Sequence, residues 1–213
     1  DEVTPGETVV LLHGFARTRS AVWLLAARLE QAGYHVQRVG YSSFNRTPED
    51  ILQGVSEEIR SCCLADTARV HFVGHSFGGL LVRAFLQSNR LHNLGRVVLI
   101  GTPNQGTEFV DRFRDSWWMK TLGPTALALG TGEGSFHETL QPPYYDVGVI
   151  AGLSERLSSD SVLPGGDDGL VPVEATKLDG MRDFIIVSTS HSYLRYDRTV
   201  AEQTIAFLRN GLF

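Results

Sequence analysis

The chain has 213 residues, of which 42% are hydrophobic and 20% charged, so it is long enough to bury one sizeable core as a single domain spanning 1–213. Its formal net charge of -5 argues against nucleic acid as a partner, because phosphate binding needs clustered basic side chains and the 19 Lys and Arg residues are spread along the chain. No apolar run reaches the roughly 20 residues that span a bilayer, so we expect no transmembrane segment and a soluble protein.

The N-terminus and the cysteines bear on compartment and on cofactors. The first residues, DEVTPGE, lack the basic and apolar regions of a signal peptide, which slightly favours a cytoplasmic location. A leader removed before Asp1 stays open, as does the oligomeric state. We expect the adjacent Cys62 and Cys63 to be two small helix residues and not a disulfide, because a bond between neighbours closes almost no loop. No spacing of His and Cys is typical of a metal site, and we predict no metal and no cofactor.

Short β-branched apolar runs alternate with helical patterns along the chain. Six strands are predicted, at Thr8–Leu12, Tyr34–Val39, Val70–Val73, Arg96–Ile100, Val147–Ala151 and Phe184–Val187. Helices are predicted at Ala21–Gln31, Pro48–Leu64, Gly79–Gln87 and Thr199–Leu208. Because strands joined by crossover helices run parallel, this order predicts an α/β fold with a mostly parallel sheet and helices on both faces. Ligands bind at the carboxyl ends of such strands, so the site is expected in the loops that follow them.

The segment 104–146 breaks this alternation of strands and helices. It carries the aromatic cluster Trp117, Trp118 and Met119 and the run TLGPTALALGTGEG. A small lid or cap over a site is one interpretation of this segment. An ordinary crossover helix with both tryptophans in the core is the other, because tryptophan is common in both settings.

The sequence GHSFGG at 74–79 lies between a predicted strand and a predicted helix. It matches G-x-S-x-G, in which a tight turn pushes a serine hydroxyl out above the sheet and the glycines avoid Cβ clashes. We therefore predict Ser76 as a nucleophile and the Phe77 amide, at the helix N-terminus, as one oxyanion donor. A second donor is expected after the first strand, where LHGF places the Phe15 amide. The alternative, that Ser76 merely caps the helix, does not need the paired glycines.

A serine nucleophile needs a base, and enzymes with this turn carry first the acid and then the base later in the chain. His191, in the loop between the last predicted strand and the last helix, is the candidate base. Asp168, in GGDDGLVP, is the candidate acid that would hold the imidazole in its working tautomer. Weaker rivals for the acid are Asp167, Asp160 and Asp146. An exposed loop histidine and an ordinary acidic turn are the simpler interpretations of the two positions.

Five stretches, LLHGF, VGHSFGGLLVR, IGTPNQG, GGDDGLVPVE and SHSYL, resemble the α/β-hydrolase superfamily, especially bacterial EstA-like triacylglycerol lipases and esterases. The resemblance covers most of the chain, and the ordered set is more specific than G-x-S-x-G alone. It implies a minimal α/β-hydrolase fold that begins at what would be the third strand of larger members. It also implies a triad of Ser76, Asp168 and His191, oxyanion donors at Phe15 and Phe77, and hydrolysis of carboxylic esters through an acyl-enzyme. Some related lipases bind calcium, but no cluster of oxygen ligands is evident here.

The expected substrates are small-molecule or lipid esters, held in an apolar acyl pocket near the strand ends. The residues predicted to line it are Phe15, Phe77, Trp117, Trp118, Leu170 and Val171. Core packing is the alternative for each of them. The same triad would also serve a thioesterase, an amidase or an acyltransferase, and a binding protein that keeps the fold without catalysis is a further alternative.

Overall fold

The computed structural model describes residues 6–63, 68–154 and 166–213. Six strands form one sheet: β1 Glu7–Leu12, β2 His35–Val39, β3 Arg69–His75, β4 Leu94–Ile100, β5 Val147–Gly152 and β6 Asp183–Val187. Neighbouring strands are all parallel, and their order across the sheet is β2-β1-β3-β4-β5-β6. The predicted parallel sheet of six strands is confirmed.

Helices connect and cover these strands. The described helices are α1 Trp23–Gln31, α2 Pro48–Cys62, α3 Phe77–Ser88, α4 Glu108–Phe113, α5 Trp117–Leu122, α6 Pro124–Leu127, α7 Val173–Thr176 and α8 Arg198–Asn210. Short 3-10 turns occupy Arg19–Val22 and Phe136–Thr139. The four predicted helices correspond to α1, α2, α3 and α8, and the predicted end at Leu64 lies outside the described residues. Of the described helices, not one is long and apolar enough to cross a bilayer.

Helix ends follow from local side-chain chemistry. Thr47 precedes α2 and accepts a hydrogen bond from the Asp50 amide, while Pro48 occupies the first helical position, where its missing N–H costs nothing. Asp197 caps α8 in the same way through the Val200 amide. Such caps fix where each helix begins, and so fix the loops between strand and helix that carry the site.

The core lies on both faces of the sheet. Along β1, Val10 and Leu12 belong to the cluster that contains residues of α2 and α3, whereas Val9 and Leu11 belong to the cluster with residues of α1 and α8. All four side chains are fully buried. Burying such a side chain contributes about 1.5–3 kcal/mol to stability. Because both faces of the sheet are covered, the strands are continuous apolar runs and not alternating ones.

The cysteine pair at the end of α2 differs from expectation. The structure joins the sulfurs of Cys62 and Cys63 in a disulfide between adjacent residues. The expectation of two separate helix residues is wrong because Cys63 has already left the helical conformation, with a φ of -128°, so its side chain turns toward that of Cys62.

The segment 104–146, for which a lid or cap stays a prediction, carries α4, α5, α6 and a 3-10 turn between β4 and β5. Phe113 lies 4.8 Å from Phe109 and 5.5 Å from Trp118, measured between ring centroids, and all three rings pack against the core. Trp117 is 78% exposed. The two tryptophans therefore differ, since one packs inward and the other faces solvent.

Candidate active site

β3 ends in a tight turn that presents Ser76 at the start of α3. Ser76 has a φ of 54°, a backbone conformation that costs a side-chain-bearing residue about 1–3 kcal/mol. Its amide donates to the carbonyl of Ile100 at 2.8 Å, which ties the turn to the end of β4. A Cβ at Gly74 would lie 2.5 Å from the Cα of Gly79, and one at Gly78 would overlap the backbone of the loop after β1. The glycines of the motif therefore make this turn possible.

His191 and Asp168 come from two loops, one after β6 and one between β5 and α7. Nε2 of His191 is 2.9 Å from Oγ of Ser76, and Nδ1 of His191 is 2.7 Å from Oδ2 of Asp168. The other oxygen of the buried Asp168 carboxylate accepts hydrogen bonds from the amides of Leu170 at 3.0 Å and Val171 at 2.8 Å. These amide bonds orient the carboxylate toward the imidazole. Three side chains from distant parts of the sequence thus form one hydrogen-bonded chain.

The loop that carries His191 is also tied through its backbone. The His191 amide donates to the Asp168 carbonyl at 2.8 Å, and Nε2 of His75 lies 3.1 Å from the carbonyl oxygen of His191. Because a carbonyl only accepts, Nε2 of His75 must carry the proton. Burial lowers the pKa of His75 well below its usual value, and the neighbouring His191 acts in the same direction. His75, which the sequence presents as a spacer in the motif, therefore stays neutral and holds the loop of the candidate base.

The loop after β1 is held by the residues that follow β2. The Tyr41 amide donates to Nε2 of His13 at 3.3 Å, so Nδ1 of His13 carries the proton and donates to the Gly14 carbonyl at 2.8 Å. The rings of His13 and Tyr41 stack with their centroids 4.1 Å apart, and the Tyr41 hydroxyl donates to the His13 carbonyl. Oγ of Ser43 accepts from the Ala16 amide at 2.8 Å. Sequence reasoning missed Tyr41 and Ser43, although their position just after a strand was a usable signal.

The two predicted oxyanion donors lie on the segments that meet at Ser76. Phe77 is the first residue of α3, so its N–H has no acceptor within the helix. A Cβ at Gly14 would lie 3.3 Å from Cβ of Ser76, so the loop that continues to Phe15 passes close to the serine. Both amides can therefore reach the neighbourhood of a substrate carbonyl bound at Ser76, and their role as donors stays a prediction.

A sequence profile of the alpha/beta hydrolase family matches residues 9–209. This chain belongs to the alpha/beta hydrolase family. Among solved structures, lipase BlEst2 of Bacillus licheniformis in its mature form is similar with a TM-score of 0.79 and 18% identity, covering 100% of this chain and 95% of its own. Phospholipase PlaB from Legionella pneumophila has a TM-score of 0.77 and 19% identity, covering 95% of this chain and 60% of its own. An extracellular alpha/beta-hydrolase from a Paenibacillus species has a TM-score of 0.61 and 20% identity, covering 95% of this chain and 99% of its own. No curated protein sequence matches the chain.

In this alpha/beta hydrolase a cavity of about 200 Å³ opens at Ser76 and His191. Most of the cavity wall is apolar and comes from the segment 104–146 and from the loop that carries Asp168. Side chains of this wall include Val110, Trp118, Met119, Leu122, Leu170 and Val171. Arg17 and Arg195, which the sequence did not single out, also line the cavity.

The six residues predicted for an acyl pocket divide into two groups. Four of them line the cavity: Phe15, Trp118, Leu170 and Val171. Phe77 is fully buried in the core, with its ring centroid 6.1 Å from that of Phe136, and Trp117 points to solvent. Successive helix residues point about 100° apart, and α5 turns Trp118 and Met119 toward the cavity and Trp117 away from it. The side chains of Phe77 and Trp117 therefore lie outside its wall.

The other described aspartates considered for the acid have different hydrogen-bond or ion-pair partners. Asp146 immediately precedes β5, at the amino edge of the sheet and opposite to Ser76, and pairs with Arg182 at 3.2 Å. Oδ1 of Asp167 accepts a hydrogen bond from the Gly169 amide at 2.6 Å, within its own turn. Asp160 lies outside the described residues. The carboxylate hydrogen-bonded to His191 is that of Asp168.

Acidification is expected to destabilise the fold through His75 and His13. Burial lowers the pKa of both imidazoles from the usual value of 6.5, and more strongly for His75. The unfolded chain then binds more protons than the folded chain. The free energy of unfolding should therefore fall as the pH drops below about 6.5, by up to about 1.4 kcal/mol per pH unit for each group. Urea unfolding between pH about 7.5 and about 5.5 measures this slope.

Substitution of His75 separates its part from that of other groups. His75→Gln should flatten the decline below pH about 6.5, because one buried imidazole no longer resists protonation. His35→Gln, at an exposed position on β2, is the matched control and should keep the slope of the unsubstituted protein. Equal slopes for the unsubstituted protein and His75→Gln would contradict the assignment.

Proposed function

We propose that this alpha/beta hydrolase is a serine hydrolase of carboxylic esters, an esterase or lipase. The proposal depends on one observation, the hydrogen-bonded chain from Ser76 Oγ through the His191 imidazole to the Asp168 carboxylate, with distances of 2.9 and 2.7 Å. A serine hydroxyl attacks a carbonyl readily only when a base accepts its proton, and this geometry supports His191 as that base. The lipases among the structures with a similar fold support the choice of reaction.

In the proposed reaction, Nε2 of His191 accepts the hydroxyl proton while Oγ of Ser76 attacks the ester carbonyl carbon. The carbonyl oxygen becomes negatively charged, and the amides of Phe15 and Phe77 donate hydrogen bonds to it. The imidazolium then protonates the leaving alcohol, and an acyl-enzyme remains. Water attacks this acyl group as His191 takes its proton, and the carboxylic acid is released. Asp168 stays ionised throughout and stabilises the imidazolium.

The cavity favours short acyl chains. Its volume of about 200 Å³ is below the roughly 300–1,000 Å³ of typical small-molecule pockets. Its wall is mainly apolar, as an acyl chain requires. We therefore infer that dissolved esters with short acyl groups are better substrates than long-chain lipids.

Reaction of the folded protein with a fluorophosphonate tests the proposal. A serine activated by a base should be labelled, and peptide mass spectrometry should locate the label on Ser76. Ser76→Ala should abolish labelling, whereas Ser88→Ala, at an exposed position at the end of α3, should not. A folded protein that neither takes the label nor hydrolyses chromogenic esters would refute the proposal.

Thioesterases, amidases and acyltransferases can use the same triad of serine, histidine and aspartate. The substrate class is therefore tested by comparing an ester, a thioester and an amide with the same acyl group. We expect a butyryl ester to be hydrolysed with a higher kcat/KM than the matching butyryl thioester and amide. A series of esters with increasing acyl chain length should show the highest kcat/KM at the short end. A clear preference for the thioester or the amide would replace the ester assignment.

A further inference from the structure

Two arginines lie among the residues that line the cavity at Ser76. Arg195 follows His191 by four residues, and Arg17 follows Phe15 by two, so each comes from a loop that builds the site. The lining residues in the described part of the chain include neither Asp nor Glu. The cavity of a protein with a net charge of -5 therefore carries positive charge.

Arg195 is buried, and no charged partner for it lies in the described part of the chain. It is 9% exposed, and its Nε is buried with no hydrogen-bond partner. Across the described residues, its guanidinium forms no ion pair, and it packs over the ring of Tyr196 at 4.6 Å. Buried charges are normally paired, because removing a lone charge from water is costly. The guanidinium of Arg195, which lines the cavity and has no carboxylate partner among the described residues, is therefore available to pair with an anion on a ligand.

Arg17 adds to this charge from the cavity mouth. Its side chain is exposed, and within the described ranges it forms no ion pair with a carboxylate. Both arginines are close enough to His75, which precedes Ser76, for their charges to lower its pKa. The positive charges of the exposed Arg17 and the buried Arg195 attract an anion electrostatically toward Ser76.

Building on the proposed esterase function, we propose that the natural substrate is an ester whose alcohol part carries an anionic oxygen group, a carboxylate or a phosphate. The apolar wall holds the acyl chain, while the guanidinium of Arg195 pairs with the anion. Its planar fork of N–H donors matches both anions with two parallel hydrogen bonds. Arg17 attracts the anion and completes the positive side of the cavity.

Two pairs of butyryl esters test this with the acyl group held constant. Butyryl glycerol phosphate is compared with butyryl glycerol, and butyryloxyacetate with butyryloxyacetamide, its neutral primary amide. The unsubstituted protein should hydrolyse the anionic member of at least one pair with a kcat/KM about tenfold or more above that of the neutral member, because a charge-assisted hydrogen bond is gained. Preference in one pair or in both identifies phosphate, carboxylate or either as the anion. Equal rates in both pairs, or preference for the neutral esters, would overturn the proposal.

Variants of the arginines show whether they are responsible. Arg195→Met should lower the ratio of kcat/KM for the preferred anionic ester to kcat/KM for its neutral partner by about 10- to 100-fold. Arg195→Lys should recover part of the loss. Arg198→Met, an exposed arginine that pairs with Glu202 at 2.8 Å, is the control and should change neither rate. Equal losses for both esters in Arg195→Met would show a purely structural role and refute the proposal.

Three further measurements keep the test from depending on catalysis alone or on the folding of one variant. Calorimetric binding to Ser76→Ala, which cannot turn the esters over, should favour the anionic ester even if the proposed hydrolysis fails. Arg17→Met changes an exposed side chain and should raise KM for the anionic ester several-fold. Added salt should raise that KM too, while leaving the KM of the neutral ester unchanged. Absence of any binding preference would overturn the proposal whatever the fate of the esterase assignment.

Discussion

Replacing Ser76 or His191 by alanine is expected to lower kcat for ester hydrolysis by about 10⁴- to 10⁶-fold, and the double variant should lose no more than either single variant. In the proposed mechanism the two side chains act as one unit, because the proton moves along the 2.9 Å hydrogen bond between Oγ and Nε2. Without the imidazole the hydroxyl stays protonated, and without the hydroxyl the imidazole has no nucleophile to activate. Steady-state kinetics on a chromogenic butyryl ester measures each loss.

Two controls make this comparison decisive. His92→Ala, at an exposed position before β4, should retain the activity of the unsubstituted protein. Circular dichroism should show that all variants are folded. Losses that multiply in the double variant would contradict a shared unit, and fast fluorophosphonate labelling of His191→Ala would refute the base assignment.

Asp168→Asn is expected to lower kcat by about 10⁴-fold while leaving the protein folded. The carboxylate accepts from Nδ1 of His191 at 2.7 Å, so the lone pair of Nε2 faces Ser76. An amide NH₂ in that position donates to Nδ1 and places the imidazole proton on Nε2, which can then no longer accept from the serine. The side-chain oxygen of asparagine can still accept from the amides of Leu170 and Val171, which keeps the turn.

Asp167→Asn is the matched control for this substitution. Asp167 lies in the same turn and is also buried, but its Oδ1 accepts from the Gly169 amide. We expect its kcat to stay within about tenfold of that of the unsubstituted protein, since the side-chain oxygen of asparagine can still accept from the Gly169 amide. A larger loss for Asp167→Asn than for Asp168→Asn would reassign the acid.

The sheet could be predicted because each strand is an apolar run that both faces of a parallel sheet bury. β1, with Val9, Val10, Leu11 and Leu12 fully buried, is typical of such a run. The loops at the carboxyl ends then followed from the connectivity, and with them Ser76, Asp168 and His191 as candidates. What made these three predictable is that strong local signals, the glycine-flanked turn above all, coincide with strand ends.

Other parts of the site depend on packing that local sequence does not encode. Trp117 and Trp118 are neighbours of the same type, and only the placement of α5 against the core decides which one lines the cavity. His75 fits the motif as a spacer, and its bond to the His191 carbonyl exists only once β3 and the loop after β6 have come together. The burial of Arg195 likewise depends on tertiary structure.

Tyr41 and Ser43, which hold the loop after β1 in place, connect the candidate active site to the edge of the sheet. Both residues follow β2, which among the described strands pairs with β1 alone and so lies at the edge of the sheet. Fraying of that outermost strand would release the Phe15 amide while the serine, imidazole and carboxylate remain assembled on the inner strands. If the Phe15 amide donates to the oxyanion as proposed, hydrolytic activity is expected to be lost at a temperature at which most of the backbone is still folded.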